Sequence, residues 1–196
     1  MPLEFALSDF LKAFFAIFVA MDAIGNLPIL YVLTKKLSVK ERNKNVDKAL
    51  FVATILLSVF LLFGTGILSY FNINFSSFRV AGGIVLLIIG LRIVLGLRLM
   101  EEKAKKYELS AVPLATPLIV GPAVITVTIL LVNESGFLIT LIAAAANLIA
   151  SWIILRQTEL LFKVLGRQGS EVIARIMGLI LTALAVEFIK IGWVGL

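Results

Sequence analysis

The stretch MDAIGNLPIL, Met21–Leu30, interrupts an apolar run that extends from about Leu3 to Thr34. An aspartate, a glycine, an asparagine and a proline fall within seven residues near the centre of this run. Proline lacks an amide proton and clashes with the preceding helical turn, and glycine loosens the backbone. The run is also longer than the roughly 20 residues that a helix needs to cross a bilayer. The stretch therefore predicts a transmembrane helix that is broken near its middle.

The composition is typical of a chain that lies in lipid. Of 196 residues, 61% are hydrophobic, and the mean hydropathy is +1.09. Soluble domains are about 45–50% apolar, so we expect one all-α membrane domain over residues 1–196. Cysteine and histidine are absent from the sequence, which excludes disulfides, thiol nucleophiles, zinc sites and catalysis by histidine. Glu4 and Asp9 precede Lys12, so we interpret the N-terminal segment as the first span rather than as a signal peptide.

Six segments are long and apolar enough to be transmembrane helices. They cover about residues 5–34, 47–71, 78–99, 109–132, 136–163 and 171–195. Basic residues concentrate in the first, third and fifth connections, whereas the second connection is uncharged and the fourth has only Glu134. The basic residues are Lys35, Lys36, Lys40, Arg42, Lys44 and Lys48, then Arg98, Lys103, Lys105 and Lys106, then Arg156, Lys163, Arg167 and Arg175.

This distribution of positive charge predicts the topology. By the positive-inside rule, the three basic connections face the cytoplasm and both termini face outside. We therefore expect a multi-pass protein of the cell membrane, plasma or inner. The net charge of +6 follows from this topology, so nucleic acid is not an expected partner.

The two halves of the chain resemble each other. The corresponding positions are Pro28 and Pro122, and Thr34 and Thr128, at a shift of 94 residues, and RVAGGI (Arg79–Ile84) and RIMGLI (Arg175–Ile180) at a shift of 96. Each half, about 1–100 and 107–196, contains three predicted spans. Because three is odd, the second half enters the membrane inverted. The sequence thus predicts six transmembrane helices in two inverted three-helix repeats, with broken first and fourth helices, an architecture of many secondary transporters.

A second interrupted stretch, ATPLIVGPAVITVT (Ala115–Thr128), lies in the first span of the second repeat. Paired interruptions at corresponding places indicate a transporter's binding site. A broken helix offers partly positive amides to a carboxylate, and freed carbonyls to a cation or an ammonium group. A proline kink that only shapes packing is the structural alternative. The candidate substrate-binding residues are Asp22, Gly25, Asn26, Pro28, Thr116, Pro117, Gly121, Pro122 and Thr126.

Asp22 is the intramembrane charge for which we expect a function. Its nearest basic residues in sequence are Lys12 and Lys35, and a charge in the bilayer costs about 2.5 kcal/mol or more. The carboxyl group is a candidate to be protonated, to bind a cation such as Na⁺, or to receive a substrate ammonium group. A hydrogen bond to freed backbone amides is the structural alternative. No metal site and no catalytic residue is predicted.

The other charges within spans have structural explanations. Glu187 and Lys190 are three residues apart on the last span and can pair. Arg92 lies near the end of the third span, from where it can snorkel to the interface. Arg79 and Arg175 are expected to anchor helix starts at the interface.

Three stretches resemble motifs of the MarC family of integral membrane proteins, also called the SnatA family. They are DAIGNLPILYVLT (Asp22–Thr34) for the first helix, FRVAGGIVLLIIGLRIVLG (Phe78–Gly96) for the third and VPLATPLIVGPAVIT (Val112–Thr126) for the fourth. The resemblance covers essentially the whole chain. One departure is Ala23, where many members have a proline, and it leaves the exact position of the first break open.

This resemblance implies a transporter of small neutral amino acids, glycine and alanine among them, coupled to H⁺ or Na⁺, with its site at the two breaks. A passive channel, or an exporter for another small polar metabolite, is the alternative. An enzyme is not expected, because a single deep carboxylate without cysteine or histidine lacks a catalytic partner.

The expected partners are the amino acid substrate and the lipid bilayer, and no cofactor is expected besides the coupling ion. Gly82, Gly83, Gly90 and Gly178 can pack helices closely, either within one chain or between chains of a homo-oligomer. The sequence leaves the coupling ion and the direction of transport open.

Overall fold

The computed structural model describes residues 3–35, 37–97 and 119–196. Seven α-helices and no strand occur in these ranges, which confirms the all-helical prediction for them. The helices are α1 (Leu3–Met21), α2 (Leu27–Thr34), α3 (Val39–Tyr70), α4 (Phe75–Val94), α5 (Pro122–Glu134), α6 (Phe137–Arg156) and α7 (Thr158–Val194). Four of them, α3, α4, α6 and α7, are long and apolar enough to cross a membrane. The chain is thus a helical membrane protein.

The first predicted span is broken, as its sequence predicted. Helix α1 ends at Met21 and α2 begins at Leu27. The fourth predicted span is described only from Ile119 onward, and its helix α5 begins at Pro122. Thr116 and Pro117 lie outside the described residues.

Helix α3 begins at Val39, eight residues before the predicted start of the second span. Ser38 and Glu41 form a capping box: the Glu41 amide donates to Ser38 Oγ over 3.3 Å, and the Ser38 amide donates to Glu41 Oε2 over 2.9 Å. These bonds satisfy amides that have no partner inside a helix. The predicted first connection was therefore too long, and Arg42 belongs to the second turn of α3.

The predicted boundary between the fifth and sixth spans was wrong. Helix α6 ends at Arg156 rather than near residue 163, and Thr158 starts α7. Within α7, Gly166 adopts φ 64° and ψ −174°, a conformation outside the helical region, so the helix bends there. Arg175 lies more than two turns beyond this bend, and the prediction that it marks a helix start was also wrong.

Helices α4 and α7 pack through glycines at close range. A Cβ placed on Gly90 would lie 3.0 Å from the Gly178 carbonyl oxygen, and one placed on Gly83 would lie 2.9 Å from the Ala185 carbonyl oxygen. Only hydrogen fits at such distances, so the backbones approach closely. The predicted glycine packing therefore occurs within one chain.

The remaining helices enclose a common apolar core. Helix α1 packs on α6 and α5, α2 on α7, α3 on α5 and α6, and α4 on α5. Ile17, Leu57, Leu86, Val127 and Leu181 are among its fully buried side chains. Large apolar side chains also cover the outside of α3, α4, α6 and α7. A soluble monomer rarely exposes so much contiguous apolar surface, so this surface faces lipid.

Candidate functional site

The first break, residues 22–26, connects α1 to α2 by a compact series of turns. The Asp22 amide still donates to the Phe18 carbonyl over 3.1 Å, and the Asn26 amide donates to the Asp22 carbonyl over 3.0 Å. The Leu27 amide donates to the Ile24 carbonyl over 3.1 Å. Several backbone groups of the break therefore form hydrogen bonds with each other or with the end of α1. Lipid offers such groups no hydrogen-bond partner.

Asp22 gives the break its shape. Its φ is +43°, in the left-handed region that aspartate and asparagine tolerate better than other residues with a side chain. Its Oδ1 accepts a hydrogen bond of 3.2 Å from the Gly25 amide. A bond of this kind, to a freed backbone amide, is the structural alternative to a transport role for Asp22. The residue is only 7% exposed. Asp22 is thus a buried acceptor at the turn itself.

Asn26 closes the other side of the turn. Its Nδ2 donates to the Met21 carbonyl over 3.3 Å, so it satisfies an end group of α1 instead of capping α2. Together, Asp22, Gly25 and Asn26 form one hydrogen-bonded unit with Met21. The predicted site residues of the first repeat therefore lie together.

Helices α2 and α5 each have a proline in their first turn. Pro28 is the second residue of α2, and Pro122 is the first residue of α5. Proline suits the first turn because its missing amide proton has no helical partner there. The side chain of Asn26, which precedes α2, does not cap that helix, and Gly121, which precedes α5, has no side chain to do so. Each proline thus lies in the first turn of a helix rather than in a helix interior.

The threonines of α2 and α5 make different contacts. Thr126 is buried, and its methyl group packs towards Gly82 of α4. Thr128 donates to the Val124 carbonyl over 2.7 Å, and Thr34 makes the same bond to Leu30 over 2.7 Å. These hydroxyls bond their own helices, as threonines in spans often do. Thr126 is part of the α4–α5 contact.

Helix α6 brings polar side chains to α1 that the sequence analysis did not single out. Asn147 and Ser151 are completely buried. Asn147 Nδ2 donates to the Phe14 carbonyl over 3.0 Å, and Ser151 Oγ lies 3.5 Å from Met21 Sδ, next to the first break. An asparagine within AAAANLIAS (Ala143–Ser151) was the available signal.

Ion pairs tie the helices at one end of the bundle. Arg156 of α6 donates to Asp47 of α3 over 2.8 Å, and its guanidinium lies 4.4 Å from the centre of the Trp152 ring. Arg42 of α3 donates to Glu159 of α7 over 3.1 Å. These pairs link α3 to α6 and α7, and we call this end of the bundle the basic end.

A cavity of about 310 Å³ opens at the basic end. Its lining residues are Arg42, Arg156, Gln157, Glu159, Leu160 and Lys163. None of them belongs to either break. The cations lining it already pair with Glu159 or with Asp47, so the cavity itself is not a strong anion site.

Two of the other basic residues within the predicted spans, Arg79 and Lys190, form ion pairs within the described residues. Arg79 of α4 pairs with Glu134 at the end of α5 and lies 5.2 Å from the Phe75 ring centre. Lys190 donates to Glu187 over 2.9 Å, which confirms the predicted pair. Arg92 lies in the last turn of α4, the position predicted for it.

Comparison with known proteins identifies the family. The model of the MarC family, described as MarC family integral membrane protein, matches residues 7–196. This chain belongs to the MarC family. A protein of Buchnera aphidicola subsp. Baizongia pistaciae is 34% identical, over 96% of this chain and 94% of its own. One of Archaeoglobus fulgidus is 34% identical, over 95% and 92%. YhcE of Escherichia coli is 34% identical, over 95% and 93%.

All three relatives are called UPF0056 membrane proteins. Their names state no substrate and no reaction. No solved structure matches this chain. The family match and these relatives thus show membership of the MarC family and specify no activity.

Proposed function

We propose that this MarC family protein is a secondary transporter of small neutral amino acids, glycine and alanine among them, that works by alternating access. The observation that carries the proposal is the first break, in which a buried carboxylate and backbone amides lie within one turn of each other. Asp22 has its side chain beside the Gly25 amide at 3.2 Å. A zwitterion needs an acceptor for its ammonium group and donors for its carboxylate.

The helix contacts support two inverted repeats. Under a two-fold relation, α1 with α2 corresponds to the span that ends in α5, α3 corresponds to α6, and α4 corresponds to α7. The contact of α1 with α6 then corresponds to that of α3 with α5, and the contact of α2 with α7 corresponds to that of α4 with α5. The contacts α3–α6 and α4–α7 each correspond to themselves, because the two-fold relation exchanges the two helices of the pair. These contacts pair as an inverted repeat requires, whereas those of α5 with α6 and of α6 with α7 have no counterpart of similar extent among the described residues.

Corresponding residues also play corresponding local roles. Pro28 and Pro122 lie in the first turns of their half-helices, and Thr34 and Thr128 each donate to the carbonyl four residues earlier. Residues at the two breaks, among them Met21, Val120 and Val124, belong to one buried cluster. This shared core supports a single substrate site between the repeats.

The size of the substrate follows from its surroundings. The residues that flank the first break, Met21, Ala23 and Leu27, are each at most 4% exposed. A site formed by backbone and buried side chains leaves little room for a substrate side chain, which suits glycine and alanine. Asp22 is the proposed carrier of the coupling H⁺ or Na⁺. The basic end is proposed to face the cytoplasm of the cell, with both termini outside.

The test is uptake of labelled glycine and alanine into proteoliposomes, with and without imposed gradients of H⁺ or Na⁺. The native protein is expected to show saturable, gradient-dependent uptake. Asp22→Asn is expected to lose this dependence because the carboxylate charge is gone. Glu187→Gln is the matched control: it removes a carboxylate that is paired within α7 and 52% exposed, so uptake is expected to remain.

Three results would speak against the proposal. Uptake that does not saturate, without counterflow, would indicate a passive channel. Uptake of another small polar metabolite, with none of glycine or alanine, would indicate a different transporter or exporter. Uptake that survives Asp22→Asn with its gradient dependence unchanged would assign Asp22 a structural role, such as its bond to Gly25.

A further inference from the structure

Asn147 fixes the orientation of its own amide group. It lies in the middle of α6 and is completely buried. Its Nδ2 donates to the Phe14 carbonyl over 3.0 Å and to the Ala143 carbonyl over 2.8 Å. These two bonds use both amide protons. The reverse orientation would place Oδ1 against two carbonyl oxygens, so the hydrogen-bond network assigns Nδ2 to this side.

The oxygen of the same amide has no hydrogen-bond donor among the described residues. Oδ1 of Asn147 is buried and accepts no hydrogen bond from the part of the chain that the structure describes. An unsatisfied buried acceptor is unfavourable, and lipid supplies no water to correct it. The two bonds to carbonyls need both protons of Nδ2, which the single proton of a serine or threonine hydroxyl could not supply. The interhelical tie to α1 therefore explains the amide nitrogen but leaves the oxygen unexplained.

Packing does not explain this oxygen either. At the 94-residue shift, Ala53 of α3 is the counterpart of Asn147, and it is also completely buried. An alanine thus fills the corresponding place in the first repeat. The amide side chain is therefore present in the second repeat alone. In the same way, the carboxylate of Asp22 is present in the first repeat alone, because the counterpart of Asp22 at this shift is Thr116.

The position of Asn147 connects it to the first break. Ser151 follows one turn later on the same face of α6 and lies 3.5 Å from Met21 Sδ. Met21 is the last residue of α1, and Asp22 begins the break. Asn147 and Ser151 therefore form a polar strip along α1 that runs from Phe14, eight residues before Asp22, to Met21 beside the break.

We propose that Asn147 Oδ1 binds the cationic group that enters at the first break, either the ammonium group of the substrate or a coupling Na⁺. This inference rests on the proposed function and adds a residue to its site. A carbonyl oxygen accepts hydrogen bonds from an ammonium group and is also a ligand for hard cations. Asp22 supplies the negative charge, and Asn147 supplies a neutral oxygen on the facing helix.

The test uses Asn147→Ala in the full chain, with Thr140→Val as the matched control. Thr140 lies on the same helix and is equally buried, but its hydroxyl is already bonded to the Gly136 carbonyl over 2.8 Å. The melting temperature in detergent is measured with NaCl alone, and with glycine in choline chloride. Glycine uptake gives the Michaelis constant and the half-saturating Na⁺ concentration.

The native protein and Thr140→Val are expected to be stabilised by at least one of the two probes. Asn147→Ala is expected to lose that stabilisation. Its Michaelis constant, or its half-saturating Na⁺ concentration, should rise about tenfold or more, as expected for the loss of one hydrogen bond to a charged group. A lost response to NaCl alone identifies the coupling ion as the ligand. A lost response to glycine, with the NaCl response intact, identifies the ammonium group.

Asn147→Ser covers the case in which the alanine variant does not fold. A serine hydroxyl can still donate to the Ala143 carbonyl, but it does not replace the amide oxygen, so the same losses are expected. If a folded variant binds and transports as the native protein does, the amide is only an interhelical tie and the inference is wrong. If the native protein transports no amino acid yet loses an NaCl response on Asn147→Ala, the proposed function fails and the cation site remains.

Discussion

Replacing Gly90 by alanine tests the closest helix contact in the molecule that we describe, that of α4 with α7. The added Cβ would lie 2.5 Å from Thr182 Oγ1 and 3.0 Å from both the Gly178 carbonyl oxygen and the Thr182 amide nitrogen. The threonine side chain can rotate away, but its hydroxyl now donates to the Gly178 carbonyl over 2.8 Å. The two backbone atoms can only yield if the helices separate.

The size of the effect follows from these distances. Ordinary contacts of a Cβ begin at 3.4 Å, so α4 and α7 must move apart by about 0.4 Å at a contact that has no slack. Overpacking of this kind costs about 1–3 kcal/mol. The better helix propensity of alanine offsets about 0.5–1 kcal/mol of that cost. We expect Gly90→Ala to lower the free energy of unfolding by up to about 2 kcal/mol.

The matched control is Gly66→Ala on α3, where an added Cβ would have no neighbour within 4 Å. This variant gains only helix propensity and is expected to be stabilised by about 0.5–1 kcal/mol. Unfolding of both variants in mixed detergent, followed by circular dichroism, measures the difference, which should be about 1–3 kcal/mol. Equal free energies of unfolding for the two variants would refute the packing of α4 on α7 through Gly90.

Two further predictions concern the basic end of the bundle. Ser38→Ala removes the capping box of α3 and is expected to cost about 1 kcal/mol; the same measurement on Ser58→Ala, at an exposed position in the middle of α3, should show no such loss. A double-mutant cycle on Asp47 and Arg156 is expected to give a coupling of only about 0.2–1 kcal/mol, because their side chains remain 43% and 36% exposed. A loss of stability near zero for Ser38→Ala would contradict the capping box. A coupling energy well above this range for Asp47 and Arg156 would contradict the view of that pair as a weak, exposed one.

The sequence predicted the break in the first span because it follows from local backbone chemistry. Proline and glycine act on their own and the preceding turn, and both starting prolines are explained without any distant contact. The exact turn was not predictable in this way. The break begins at Asp22, whose positive φ depends on bonds to Gly25 and on packing of the helices on either side.

Contacts between distant residues were beyond the sequence. Thr126 was assigned to the site from its place after Pro122, yet its methyl group packs towards Gly82 in another helix. The partner of Asn147 lies 133 residues away. The end of α6 was also missed: the polar run Arg156–Glu159 marks it, but the apolar residues Leu160–Phe162 that follow were counted with the same span. Arg156 is instead fixed by its pair with Asp47.

The internal bonds of the first break also suggest how a substrate would enter it under the proposed function. The Gly25 amide donates to Asp22 Oδ1, and Asn26 Nδ2 donates to the Met21 carbonyl. A substrate carboxylate can accept the Gly25 hydrogen bond, while a substrate ammonium group donates to the Asp22 oxygen that is thereby released. Each bond that breaks is replaced by one of the same kind, so the exchange has a small net cost. A simple anion would replace only the acceptor of the Gly25 amide in this bond, and a simple cation would replace only the donor to Asp22 Oδ1. A zwitterion satisfies both groups at once, which is why this turn suits an amino acid.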